Sequence, residues 1–308
     1  MAVTITDWFG YSAADTSVEA TSAASNQRCP FIDDSCEKVF QDGLVAGVCA
    51  LKQTTRAPVV CCPNRLYGDD WKILRDIAAI AFGDKWEFGF TDGWVLTPGR
   101  TALSEAIRRG SPVIGVFGKK WGGELRLPQR GGSGSYFVDW ILAVVTPTGL
   151  AEFVAVEVQT IDTTGNYRAS IDGLQNGREI KKSDAAFNWE NVNKRILPQV
   201  IYKGNLLQRE KLCKGGLFFV TPKPVFERIA KRLLGEGNEL PEYPLAPGAV
   251  TFLSYDPDWE NVIPGQPASL LQTGRLTTSV VQVAQAFVGV TNLPPMGAYE
   301  DAINAALS

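Results

Sequence analysis

The chain has 308 residues and no histidine. That absence excludes the Ser-His-Asp triad, the Cys-His nucleophile pair, the HExxH zinc helix and the histidine-metal nuclease motifs, all of which need an imidazole as base or ligand. Any metal held by this chain must rest on thiolate, carboxylate or carbonyl ligands. Long apolar runs are missing too. None approaches the roughly 18 residues of a membrane-spanning helix, so no membrane partner is expected. The opening MAVTITDWFGYSAADTS has neither the basic nor the apolar region of a secretory leader. A cytoplasmic location is the expectation.

What is present is a globular composition, 45% hydrophobic, enough for one large core or two domains. The formal net charge of −3 argues on its own against nucleic-acid binding. Its distribution argues the other way. Residues 165–232 carry 14 Lys and Arg against 6 acids, and residues 100–130 carry 7 against 2. The stretch 233–308 carries 8 acids and a single Arg. A basic middle in an acidic chain suits a polyanion-facing cleft, or equally a set of solvated helix faces.

Cysteine is sparse but clustered. Five of the six lie between residues 29 and 62: Cys29, Cys36, Cys49, Cys61 and Cys62. The sixth, Cys213, stands apart. Turn residues separate the five, and a loop-rich segment of this length buries little core and needs a staple. In a cytosolic setting a four-thiolate metal site is preferred over disulfides, and buried reduced thiols are the plain alternative. The spacing matches no common zinc finger. Because Cys61 and Cys62 are adjacent, one of them is expected not to be a ligand.

The most informative segment is Val154–Asp162, VAVEVQTID. It reads as a strand in which Glu157 and Gln159, two residues apart, share a face. An upstream strand at 135–145 carries Asp139, and the turn Thr146-Pro147-Thr148-Gly149 joins the two. Such a hairpin brings Asp139 beside Glu157. Two carboxylates and a polar neighbour on one edge are what a divalent-metal site for phosphodiester cleavage needs. Taken singly, each acid is more often a solvent-facing strand residue. Glu157 is the harder to dismiss, because Ala155 and Ile161 make its face partly apolar and a carboxylate there needs a partner or a metal.

Elsewhere the pattern predicts a helix over 69–82 capped by Asp69 or Asp70, a hairpin or irregular strand over 84–97, a short helix over 101–109 and a strand over 110–119. The Gly-rich segment 121–134 holds Arg126 and Arg130 and follows Lys119-Lys120. It reads as a connector or as a basic loop near substrate. Residues 163–180 read as loop, 187–202 as a helix broken at Pro198, 204–213 as a helix, 216–221 as a buried strand and 222–235 as a helix. A Pro- and acid-rich segment, 236–270, precedes a strand or helix at 276–289 and a helix at 298–307. The mixture is α/β or α+β around a central sheet.

The cysteine segment and the Glu-x-Gln strand together resemble the NotI family of type II restriction endonucleases. The passages that carry the resemblance are Cys29-Pro30-Phe31 with Cys36-Glu37-Lys38, Gly47-Val48-Cys49, Val60–Tyr67 (VCCPNRLY), and Val156–Asn166 (VEVQTIDTTGN). They cover roughly residues 25–170; the C-terminal half resembles the family only in general character. The resemblance implies an α/β fold with a PD-(D/E)xK nuclease core at 68–308, following an arm and a four-cysteine metal-binding module at 1–67. It implies Fe, or Zn, on Cys29, Cys36, Cys49 and Cys62, and catalytic Mg2+ on Asp139 and Glu157 with the Val158 carbonyl as an extra oxygen. Gln159, where most such nucleases have Lys, would position the attacking water or the metal's ligand shell, and Glu105 is the candidate assisting acid from a helix. The implied partner is double-stranded DNA, cleaved by a homodimer at a palindromic GC-rich site within a restriction-modification system. Lys119, Lys120, Lys181 and Lys182 are candidate phosphate holders, and Arg126, Arg130, Arg168 and Arg178 candidate base readers. A non-catalytic DNA-binding protein with a metal site, or a repair or mobile-element nuclease with the same core, is the alternative.

Overall fold

The computed structural model describes residues 2–83, 85–86, 96–125, 137–234, 243–289 and 295–307. The first element is strand β1 (Val3–Trp8), followed by β2 (Tyr11–Ser12) and helix α1 (Val18–Ser25). The cysteine segment folds as short strands β3 (Arg28–Cys29) and β4 (Asp34–Ser35), then β5 (Val48–Gln53) and β6 (Val59–Val60). Together they form a four-stranded sheet, β2-β1-β5-β6, and the β3-β4 hairpin. Helix α1 is capped by the Ser17 side chain, which accepts the Ala20 N–H.

A seven-stranded mixed sheet organises the rest. Its strands are β7 (Leu96–Pro98), β8 (Val113–Gly118), β9 (Trp140–Thr146), β10 (Gly149–Val158), β13 (Leu217–Thr221), β14 (Ala249–Pro257) and β15 (Leu270–Ser279). A small hairpin of β11 (Thr163–Thr164) and β12 (Ala186–Phe187) lies outside it. The order is β15-β14-β13-β10-β9-β8-β7, with β10, β13 and β14 parallel and the β9–β10 hairpin antiparallel. Gly149 closes that hairpin at φ +123°, a conformation side-chain-bearing residues rarely adopt. Parallel central strands are covered on both faces, and β13, Leu-Phe-Phe-Val-Thr, is buried throughout.

Helix α2 (Gly68–Phe82) packs Ile73, Leu74, Ile77 and Phe82 on the face formed by Val154, Val156, Val158 and Phe218. The opposite face carries Ala155, Leu217, Phe219 and Phe252. Against it lie α4 (Arg168–Gln175), α5 (Leu197–Leu207), α6 (Lys223–Leu234) and α7 (Val280–Val288). Helix α3 (Ala102–Arg109) covers Ala143 and Val145, and α8 (Ala298–Leu307) ends the described chain with no buried residue. The result is a mixed α/β architecture with a large sheet flanked by helices. Core residues of the first 67 positions interleave with later ones: Val3, Ile5 and Trp8 pack with Tyr167 and Ile171.

Several expectations are revised. Asp69 does not cap α2. Asp69, Asp70 and Trp71 all have positive φ, and the Asp69 carboxylate accepts the Leu270 N–H instead. Around Pro198 the helix changes character rather than ending: a π-helical turn, Val192–Ile196, runs straight into α5, whose first turn holds Pro198. The polar stretch 163–180 contains α4, and the Pro- and acid-rich stretch contains β14. The hairpin expected at 84–97 lies mostly outside the described residues, as do Arg126 and Arg130.

Candidate metal-dependent site

The β9–β10 register pairs Trp140 with Val156, which sets Asp139, just before β9, beside the end of β10. The backbone N–H of Val158 donates to Asp139 Oδ2 at 2.8 Å. Glu157 is the penultimate residue of β10 and is 6% exposed. Burial, and then the charge of Asp139, push its carboxyl up to about 7, with Lys203 acting against them. Asp139 is likewise raised, by burial first, with Val158 and Lys203 opposing and Glu124 adding to the rise. The two carboxylates therefore occupy one site.

Lys203, on α5, makes an ion pair of 2.5 Å with Glu157 Oε1. Glu157 Oε2 is buried and has no hydrogen-bond partner among the described residues. A buried carboxylate oxygen left unsatisfied costs several kcal/mol in general and calls for a reason. The donor set of two carboxylates, one with an unclaimed oxygen, fits a hard divalent cation. Gln159 lies one residue past β10. Its N–H donates to the Val220 carbonyl at 2.9 Å and its carbonyl accepts from Thr221 Oγ1 at 2.7 Å, so the chain stays extended and the side chains of 157 and 159 keep a common face.

Glu124 and Lys203 escaped sequence reasoning. Glu124 lines, with Asp139, Asn64, Tyr67, Lys119 and Lys120, a cavity of about 60 Å3 between the cysteine segment and the sheet. A lone acid in a Gly-rich loop and a lone Lys on a helix carry no local signature. Glu105 stands differently: Arg108 and Arg109 bond its carboxylate and hold it down to about 2, which commits it to its own helix. Of the cationic candidates, Lys119 pairs with Glu37, Lys120 with Asp34 and Lys181 with Glu179. Lys182 is exposed. Arg168 pairs with Asp42 and covers the Phe40 ring. Arg178 turns inward, donating to the carbonyls of Ser12 and Ala13 over the Trp8 ring, a structural position rather than a base-reading one.

Cys29, Cys49 and Cys62 are buried in one core cluster; Cys36 is half-buried, packs on the cluster that holds Cys61, and lies close enough to Cys62 to feel its charge. Cys49 donates toward Cys62. That bond, with Lys38 and the N–H groups of Asn64 and Arg65, brings the Cys62 thiol down to about 7 against its burial. Burial pushes Cys29 up to about 12, and the charge of Cys62 raises Cys29, Cys36 and Cys49 alike. The four thiols thus sense one another. Among the described residues, however, no group of three or more Cys, Asp or Glu side chains is arranged to hold a metal ion as it stands. The donor chemistry fits a thiolate site; the arrangement needs thiol protons lost and sulfurs re-aimed to close on one. Cys61 faces another core cluster and Lys38.

No protein-family model matches the chain, and no curated protein is detectably similar to it. Among the described residues no helix is long and apolar enough to cross a membrane.

Proposed function

We propose that the chain is a Mg2+-dependent type II restriction endonuclease with a PD-(D/E)xK core, acting as a homodimer on a palindromic, GC-rich DNA site. The observation that carries the reading is the Asp139/Glu157 pair at the end of the β9–β10 hairpin, with Glu157 Oε2 buried and unclaimed among the described residues. Asp139 and Glu157 would hold the ion, with Glu124 near enough to add charge. Bound there, Mg2+ supplies polarisation of the scissile phosphate and acidification of the attacking water.

The chain's own groups do the rest. The Val158 N–H fixes one oxygen of Asp139, and Lys203 fixes one oxygen of Glu157, so each carboxylate presents its other oxygen in a set direction. The Gln159 carboxamide orients water by hydrogen bonding and brings no charge. The α2 side of the sheet supports both carboxylates through Val154, Val156 and Val158. The four-thiol segment would hold Fe or Zn on Cys29, Cys36, Cys49 and Cys62. Its acids Asp34 and Glu37 tie Lys120 and Lys119, at the edge of the Asp139 cavity, to the module.

The test is incubation of the purified protein with sequenced GC-rich plasmid or phage DNA, with Mg2+ or with EDTA. Discrete Mg2+-dependent fragments are expected, and they vanish in Glu157→Ala. A gel shift without cleavage favours a non-catalytic DNA-binding protein, and unphased degradation favours a repair-type nuclease.

A further inference from the structure

We propose that Lys203 is the positioning cation of the Asp139/Glu157 site: its ammonium clamps Glu157 Oε1, leaves Oε2 as the ligand oxygen, and supplies from a helix the positive charge that Gln159 does not bring on the strand. This rests on the nuclease reading above.

The geometry is specific. Lys203 Nζ lies 2.5 Å from Glu157 Oε1, with side chains 19% and 8% exposed. Its charge acts on Asp139 as well as on Glu157. The helix that delivers it is anchored by Leu197, Val200 and Leu207 in the core. The next residue, Gly204, lets α5 settle close: a Cβ there would lie 2.8 Å from Val280 Cγ2. The stem of Lys203 lines an apolar cavity of about 770 Å3 with Phe137, Ile141, Phe153 and Tyr202. With side chains 19% and 8% exposed the pair is partly shielded from water, so its attraction is stronger than at an open surface.

An orphaned buried carboxylate oxygen is costly, and Glu157 Oε2 shares that state with Asp7 Oδ1 of the Arg65 pair; what distinguishes Glu157 is the second carboxylate, Asp139, beside it. At Glu157 one oxygen is held at short range and the other has no partner among the described residues. That asymmetry is what a carboxylate needs to be ionised, oriented and still open to a cation. Position 159 shares the face of Glu157, so a lysine placed there reaches the same carboxylates from the strand.

The experiment compares wild type, Lys203→Met, Lys203→Arg and the double variant Gln159→Lys/Lys203→Met. Thermal melts confirm folding. Single-turnover cleavage is read in Mg2+, DNA binding in Ca2+, and Mn2+ affinity from tryptophan fluorescence, Trp140 being next to Asp139. Lys203→Met is expected to slow cleavage on the order of 100-fold while binding DNA in Ca2+ within about threefold of wild type. Lysine at 159 is expected to restore at least about tenfold of that rate, and Lys203→Arg to retain most of it. If Lys203→Met does not fold, Lys203→Gln takes its place in both the single and the double variant, with the same expected outcomes.

Near-wild-type cleavage by Lys203→Met with tighter Mn2+ binding overturns the proposal, because Lys203 is then a stand-in that the metal displaces. A folded, inactive Lys203→Met that lysine at 159 does not rescue also overturns it, leaving a structural role. A wild type that never cleaves in Mg2+ overturns the nuclease reading itself, and this proposal with it, before any variant is made.

Discussion

Lys38, half-buried, places its ammonium 2.6 Å from the Cys61 carbonyl oxygen and 3.3 Å from the Cys61 sulfur. Burial alone would lower the Lys38 ammonium; Cys61, Tyr167 and Cys62 reverse that and raise it. Cys61 is thereby taken, and its neighbour Cys62 is the sulfur that acts on Cys29, Cys36 and Cys49. The expected outcome is a clean split. Cys29→Ser, Cys36→Ser, Cys49→Ser and Cys62→Ser each lose the metal and open residues 26–67 to protease, whereas Cys61→Ser keeps it. Metal per protein by elemental analysis decides, and colour separates iron from zinc. Full metal content in Cys62→Ser would sink the ligand assignment.

Glu157 makes the metal-free protein acid-preferring. Unfolded, its carboxyl titrates near 4.5; folded, at about 7. Below 4.5 both states hold the proton and nothing is lost. Between the two values the unfolded chain gives it up while the native chain keeps it, so stability falls as pH rises, by up to about 3 kcal/mol, and the loss is complete above the folded value. In EDTA the melting temperature should therefore drop between about pH 5 and about pH 8. Glu157→Gln should shrink the drop. Asp256, raised by burial to about 7, accounts for a remainder in the same window. Mg2+ should restore stability at the alkaline end more than at the acid end. A flat profile would remove the buried, metal-seeking carboxylate from the argument.

The hairpin was legible because its signals are local. Alternating Val154, Val156 and Val158 against Ala155 and Glu157 declares two faces, and Pro147 to Gly149 declares the turn. Both faces are covered as that pattern requires. Strand β14 was not legible. Ala249–Pro257 contains Thr251, Phe252, Leu253 and Tyr255, but it lies in a stretch whose prolines and acids suggest loop. Its place between β13 and β15 is set by long-range pairing. Helix α4 was hidden for a related reason: Arg168–Gln175 is polar on one side, and its buried face, Ser170, Ile171, Gly173 and Leu174, includes two large apolar side chains. At the site, Asp139 and Glu157 could be paired from sequence because one turn joins them. Glu124 and Lys203 come from separate elements and meet them only in three dimensions.

Arg65 links the cysteine segment to the body of the protein. Fully buried, it donates to Asp7 Oδ2 at 2.8 Å and to the Ala268 carbonyl at 2.5 Å, with Phe31 under its guanidinium. Burial, despite Arg65, leaves the Asp7 carboxyl raised. Removing one partner strands the other charge, so Arg65→Ala should cost about 3–5 kcal/mol. The double change Asp7→Asn/Arg65→Met should cost clearly less than Arg65→Ala, because no charge is left alone. Urea unfolding of the three proteins gives the comparison. An Arg65→Ala within 1 kcal/mol or so of wild type would show the pair to be dispensable.

Gly118 controls the residue that carries Asp139. It ends β8 opposite Trp140, and a Cβ at 118 would lie 2.1 Å from the Trp140 ring. The ring has nowhere to go: Tyr67 packs against it at 5.4 Å and Trp71 at 5.1 Å, and its Nε1 donates to the Tyr67 hydroxyl. Gly118→Ala must then move Trp140, and Asp139 with it, away from the Val158 N–H. Overpacking of this kind costs about 1–3 kcal/mol in stability. The larger effect is expected on cleavage, since a misplacement of about 1 Å at a reacting group costs on the order of 100-fold. Single-turnover cleavage at saturating Mg2+, on protein shown folded by its melt, is the measurement. A variant that is destabilised yet cleaves at the wild-type rate would mean that Asp139 holds its place without Trp140, and that its position is set by the Val158 hydrogen bond alone.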